Sequence, residues 1–175
     1  MRSSRLLPLV LAAALPLSQS RAADAPAVAT PPLAALAWLP GGVWRAELPG
    51  EKGAPPTTIE LRFAWADNGH ALRFDTTFAQ GDKRAPTYSG MYAWNGAAKK
   101  FVIFYTDRGG GLVEGPVAAE GDTLVHELTI TGADGKVESA RVRLTRTGAD
   151  AFTNTIYLPK DGGWDKFIEV HYARR

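Results

Sequence analysis

The sequence predicts an all-β fold, an up-and-down antiparallel β-barrel of about ten strands with a short helix before the first strand. Two observations lead to this prediction. From residue 43 onward apolar and polar residues alternate, and short turn-forming segments interrupt the alternation at nine places. Because these connections are too short to hold crossover helices, neighbouring strands must be antiparallel. Closure of the ten strands into a barrel removes the two exposed edges that an open sheet would have.

The nine breaks contain residues that favour tight turns. They lie at 49–56, 66–69, 81–83, 95–98, 107–111, 120–122, 133–135, 148–150 and 160–163. Four of them contain Asp67-Asn68-Gly69, Asn95-Gly96, Asp134-Gly135 and Asp161-Gly162, which are typical of β-hairpins. A two-sheet sandwich is the alternative, but its Greek-key links usually need longer crossing loops than this chain offers.

The alternation itself identifies the face of each strand that is expected to be buried. In three runs the apolar face consists of Ile59, Leu61, Phe63 and Trp65, then Leu72, Phe74 and Phe78, then Ala140, Val142 and Leu144. Charged and hydroxyl side chains occupy most of the positions between them. One buried face and one solvated face is what a single closed antiparallel sheet presents.

The first 22 residues have the pattern of a secretory signal peptide. Arg2 and Arg5 precede an apolar run over residues 6–17, and small residues at Ser20 and Ala22 precede the expected cleavage site. The run of 12 residues is too short to span a bilayer, which needs about 20. We therefore expect cleavage after Ala22, a periplasmic or secreted location, and no membrane span.

Three segments follow from this pattern: a signal peptide at 1–22, a Pro/Ala-rich tether at 23–32 and a β-barrel domain at 33–175. At the start of the domain, Leu33, Leu36 and Leu39 recur at helical spacing before Pro40 and Gly41. This spacing predicts one short amphipathic helix or 3₁₀ segment.

Composition excludes several classes of protein. The whole chain has a net charge of +2, but the leader contributes three arginines and no acidic residue, so the remainder has 17 basic against 18 acidic residues. A nucleic-acid partner is therefore not expected. The chain has no cysteine, which rules out disulfides, thiol catalysis and thiolate metal sites. The oligomeric state is left open by the sequence.

The start and the end of the predicted barrel carry a further pattern. Gly42-Val43-Trp44 begins the first strand, and Arg174 near the end of the last strand shares its face with Tyr172. This pattern resembles that of the lipocalins and wider calycins, in which the Trp packs across the barrel base and the Arg lies over it. The resemblance implies that Gly42, Trp44 and Arg174 form a structural signature, and it supplies no catalytic residue.

The chain is also similar to uncharacterised lipocalin-like secreted bacterial β-barrel families of unknown function. The similar stretches are LAWLPGGVW at 36–44, YAWN at 92–95 and FVIFYTD at 101–107.

Apolar walls with a few polar groups predict a small-molecule pocket inside the barrel. The candidate ligand-binding residues are Phe63, Phe74, Tyr92, Tyr105, His126 and Asn154. The same residues would also suit a filled barrel core. Because ten strands make a wider barrel than eight, a cavity is favoured over a filled core.

His126 is the histidine expected to point inward, because it alternates with Leu124, Leu128 and Ile130. It could bind the polar end of a ligand, ligate a haem iron or act as a base. The alternative is a core histidine hydrogen-bonded to one neighbouring hydroxyl or carbonyl group. No two histidines have the spacing of metal ligands, so no metal site is expected.

Three functions remain. The first is an exported protein that binds a small, largely apolar ligand in the barrel. The second is a protein-interaction module with a filled barrel, for which the strand with Val102, Phe104 and Thr106 is the candidate surface because both its faces are apolar. The third is an enzyme with His126 as base and a Tyr or Asn154 as electrophile, which lacks a second titratable group on the inward faces.

Overall fold

The computed structural model describes residues 33–50, 53–66 and 69–175, which form one closed barrel of ten antiparallel strands in chain order. The strands are β1 (Val43–Leu48), β2 (Thr57–Ala66), β3 (Ala71–Gln80), β4 (Lys83–Asn95), β5 (Lys100–Asp107), β6 (Leu112–Glu120), β7 (Thr123–Thr131), β8 (Val137–Gly148), β9 (Ala151–Lys160) and β10 (Gly163–Arg174). The predicted ten-stranded antiparallel barrel is confirmed. The predicted signal peptide and tether lie outside the described residues.

The segment before β1 forms a single 3₁₀ turn, Leu33–Leu36, and no longer helix. The residue before a proline disfavours helical geometry, so Pro40 limits the turn on its C-terminal side. Gly41 and Gly42 then adopt φ angles of +96° and +111°, which side chains with a Cβ rarely adopt. The leucines of this segment are buried, Leu39 included, and they cover one end of the barrel, which we call the base.

Trp44 is the centre of the base. Its side chain is fully buried, and its indole Nε1 donates a hydrogen bond of 2.7 Å to the Leu39 carbonyl. The rings of Trp38 and Phe152 pack edge-on against it, at centroid distances of 6.0 and 4.9 Å. The base is thus closed by aromatic packing.

Arg174 joins the last strand to this base. It pairs with Trp44 across the β1–β10 ladder, and its guanidinium carbon lies 4.2 Å from the centroid of the indole ring. The same guanidinium donates hydrogen bonds to the carbonyls of Trp38, Pro40 and Gly41. A Cβ on Gly42 would lie 3.1 Å from Arg174 Cγ, so glycine leaves the space that this side chain occupies. Arg174 therefore holds the N-terminal segment against the barrel.

The outer face is polar and carries ion pairs. Glu60 is buried between Arg45 and Arg84, at 2.5 and 2.6 Å, and hydrogen bonds from these arginines lower the pKa of its carboxyl group. Arg141 pairs with Glu127 at 2.7 Å. The outer charges thus neutralise each other locally.

Within residues 33–50, 53–66 and 69–175, no helix has the length and apolar character needed to cross a membrane.

Candidate functional site

A cavity of about 320 Å³ lies inside the barrel, above the aromatic base. This volume is near the lower end of the range of about 300–1,000 Å³ that is usual for small-molecule sites. The six residues predicted to line a pocket all contribute to its wall: Phe63, Phe74, Tyr92, Tyr105, His126 and Asn154. The interaction-module hypothesis assumed a barrel filled by side chains, whereas this barrel contains a cavity.

Strand register brings the aromatic part of the wall together. Four inward positions form one row across β2 to β5, because each is the ladder partner of the next. In strand order they are Phe63, Phe74, Gly90 and Tyr105. Because Gly90 has no side chain, the rings of Phe74 and Tyr105 approach to a centroid distance of 5.6 Å. A Cβ on Gly90 would lie 2.3 Å from Tyr105 Cβ and 2.2 Å from the Phe104 carbonyl oxygen.

Gly90→Ala is therefore expected to destabilise the protein by about 1–3 kcal/mol, because the added methyl group overpacks the wall. The measurement is urea unfolding. Gly96→Ala is the matched control, since a Cβ there meets only Trp94 Nε1, at 3.9 Å. An equal and small loss of stability in both variants would show that Gly90 does not provide this space.

His126 is buried, and the protein occupies both of its ring nitrogens. Nδ1 lies 3.1 Å from the Val142 carbonyl oxygen, which can only accept, so Nδ1 carries the proton and donates. Nε2 lies 3.0 Å from the Tyr92 hydroxyl and accepts from it. Burial lowers the pKa of His126 to about 4, so the ring is neutral at pH 7. The imidazole is thus satisfied without a ligand.

This arrangement does not fit haem. A haem iron needs an imidazole nitrogen with a free lone pair, and Nε2 already accepts the Tyr92 proton.

The wall of the cavity carries no charge. Among the described residues that line it, none is Asp, Glu, Lys or Arg. Burial raises the pKa of the Tyr92 and Tyr105 phenols, so both remain protonated. A base at His126 would therefore have no partner on the described wall that changes its charge near neutral pH. The described ranges also contain no group of three His, Asp or Glu side chains placed to hold a metal ion.

Among the described residues of the wall, Asn154 carries the one fully buried polar atom that has no hydrogen-bond partner. Its Oδ1 atom is buried and has no hydrogen-bond partner among the described residues. Burial raises the pKa of the Tyr172 phenol, which also lines the cavity. Asn154 pairs with Val170, one inward position above Phe152 and Tyr172, which stack at 4.7 Å beside the base. The unpartnered oxygen is therefore deep in the barrel.

The opposite end of the cavity, which we call the mouth, carries apolar side chains beside the phenol of Tyr88, whose ring packs against Phe78. Leu48, Phe78 and Phe167 line it, and each belongs to the end of its strand that is remote from the base. Phe167 has no ladder partner, because the β9–β10 register shifts between Lys166 and Ile168. Its side chain is 67% exposed. A ligand that enters at this end meets these side chains first.

Sequence reasoning did not include Phe167 or Tyr172 among the ligand-binding candidates. The alternation in β10 does place Tyr172 on the inward face, so this residue could have been found. The local pattern does not predict the bulge that brings Phe167 to the mouth. By alternation Phe167 shares its face with the charged residues Asp165 and Glu169, which predicts an outward side chain. The two remaining histidines, His70 and His171, are exposed.

The outer surface of β5 carries one apolar side chain with substantial exposure. Phe104 is 40% exposed and borders a shallow groove with Met91, while the neighbouring Val102 is half-buried.

No protein-family model matches this sequence, and no curated protein gives a significant match. The function is therefore argued from the site itself.

Proposed function

We propose that the protein is an exported binding protein that holds a small, neutral, largely apolar ligand inside the barrel. The observation that carries this proposal is the uncharged apolar cavity of about 320 Å³ with a few polar groups on its wall. Small-molecule sites usually combine apolar walls with a small number of polar groups that orient the ligand. The volume is near the lower end of the usual range for such sites, so it suits a small ligand.

Two features of the chain support export. Residues 1–22 carry the signal-peptide pattern, with cleavage proposed after Ala22. The resemblance to lipocalin-like secreted bacterial families points to the same location, and the closed ten-stranded barrel is compatible with it. A periplasmic or secreted protein of this kind would carry or retain a compound that dissolves poorly in water.

Naphthalene, a rigid apolar compound of ten carbon atoms, is a suitable probe of the cavity. In ¹H–¹⁵N NMR titrations we expect saturable shifts of the backbone amides next to inward residues, and little change on the outer face. The variant Leu128→Trp should fill the cavity, since Leu128 is buried and lines it, and should weaken naphthalene binding at least tenfold.

Thr129→Trp is the matched control, because Thr129 follows Leu128 on β7 and is exposed. It adds the same side chain outside the barrel and should bind naphthalene like the wild type. Absence of saturable shifts in the wild-type protein would contradict the proposed function.

A further inference from the structure

We infer that the ligand is a neutral alcohol whose hydroxyl group binds at Asn154 near the base and whose apolar chain extends toward the mouth. This inference rests on the proposed function and specifies the chemical class and the orientation of the ligand.

The first argument is the unsatisfied oxygen of Asn154. A buried carbonyl oxygen without a donor costs free energy, and native proteins rarely leave one unpaired. The backbone on both sides offers no donor, because Asn154 pairs with Leu144 on β8 and Val170 on β10 within regular ladders. A ligand O–H that donates to Oδ1 would satisfy it.

The second argument is the absence of charge. A carboxylate ligand would need a cation, and a protonated amine would need an anion, because an isolated ion in an apolar site is unfavourable. None of the described residues on the wall supplies either charge, and burial keeps the His126 ring neutral at pH 7. The polar end of the ligand is therefore uncharged.

The third argument is that this part of the wall suits a group that both donates and accepts. Asn154 and Tyr172 both line the cavity, at adjacent inward levels of β9 and β10. The Tyr172 phenol carries an O–H group that can donate to a ligand. A hydroxyl group at this point can then donate to Asn154 Oδ1 and accept from Tyr172, which an ether or a ketone cannot do.

The fourth argument is the position of these groups along the barrel axis. Asn154 and Tyr172 lie next to the base, whereas Leu48, Phe78 and Phe167 at the mouth are apolar. The hydroxyl end of the ligand therefore lies deep and its hydrocarbon part points outward.

Three compounds with ten carbon atoms test this inference in the mature-length protein: decan-1-ol, its isomer 1-methoxynonane and decanoate. The ether has the same atoms as the alcohol but no O–H donor. Decanoate has a charged carboxylate group where decan-1-ol has a neutral hydroxyl group. By calorimetry at pH 7 we expect decan-1-ol to bind at least tenfold more tightly than either. Equal or tighter binding of the ether or of decanoate would overturn the inference.

Asn154→Leu should abolish the preference, so that alcohol and ether bind within about twofold of each other. Thr76→Val is the matched control: Thr76 also lines the cavity, but on β3, and its loss should leave the preference intact. If Thr76→Val loses the preference for the alcohol and Asn154→Leu keeps it, the ligand hydroxyl does not bind at Asn154. If Asn154→Leu does not fold, the comparison of the three compounds in the wild type still decides.

The two proposals fail separately. If the wild type binds naphthalene but does not prefer decan-1-ol, the inference about the alcohol is wrong and the binding function stands. If neither naphthalene nor any of the three compounds binds, the proposed function itself is wrong.

Discussion

Trp44→Ala is expected to lower the free energy of unfolding by about 3–5 kcal/mol, the usual cost of removing a fully buried tryptophan. The indole is completely buried. Its loss opens a cavity against Phe152 and removes the ring beneath the Arg174 guanidinium. It also leaves the Leu39 carbonyl without its hydrogen bond. The measurement is urea or thermal unfolding of the purified barrel domain.

Trp94→Ala is the matched control for this substitution. Trp94 is 38% exposed and contacts Phe101 at a centroid distance of 5.5 Å, so the same truncation there creates no enclosed cavity. We expect a loss of stability well below that of Trp44→Ala. A Trp44→Ala variant as stable as Trp94→Ala would show that the base does not depend on the indole.

Acidification from pH 6.5 to pH 4 is expected to destabilise the protein by roughly 3 kcal/mol through His126 alone. Burial lowers the pKa of this histidine from 6.5 to about 4. Each pH unit between these two values costs up to about 1.36 kcal/mol, because only the unfolded chain takes up the proton there. The free energy of unfolding should be measured by urea titration at several pH values between 4 and 7.

The direction follows from proton uptake. Between pH 6.5 and pH 4 the unfolded chain protonates His126, whereas the folded barrel keeps it neutral, so lower pH favours the unfolded state. The destabilisation through His126 is absent well above pH 6.5, grows as the pH falls, and reaches its full size below about pH 4. Glu60 affects the stability at lower pH, because hydrogen bonds from Arg45 and Arg84 lower the pKa of its carboxyl group.

His126→Leu should flatten the pH dependence between 4 and 6.5, whatever its effect on stability at pH 7. That effect is expected to be a loss of about 1–3 kcal/mol, since the Tyr92 hydroxyl and the Val142 carbonyl lose their partner. His171→Gln, which removes an exposed histidine on the outer face, is the control. An unaltered slope in His126→Leu would mean that other groups cause the acid sensitivity.

The same variant tests whether His126 contacts the ligand. Its inward position was predictable from alternation with Leu124 and Leu128, and the structure places it on the cavity wall. A ligand contact stays a prediction. With both nitrogens engaged by the protein, His126→Leu in a folded barrel should reduce alcohol binding less than Asn154→Leu does.

Much of the architecture was determined by the sequence alone. Side chains alternate between the two faces of a strand with a period of two, so each residue's face can be predicted from its immediate neighbours. Turn residues mark the ends of strands in the same local way, and therefore the nine breaks predicted ten strands. Phe63, Phe74 and Asn154 could be placed on the inner face on this basis.

Only the tertiary structure decided how these inward groups meet. His126 is paired with Tyr92, 34 residues earlier, and with Val142, 16 residues later, because strand register and barrel curvature bring them together. Whether Asn154 finds a partner depends on the same geometry. The cavity is the small difference between the width of a closed ten-stranded barrel and the summed volume of its inward side chains, and no local pattern contains that difference.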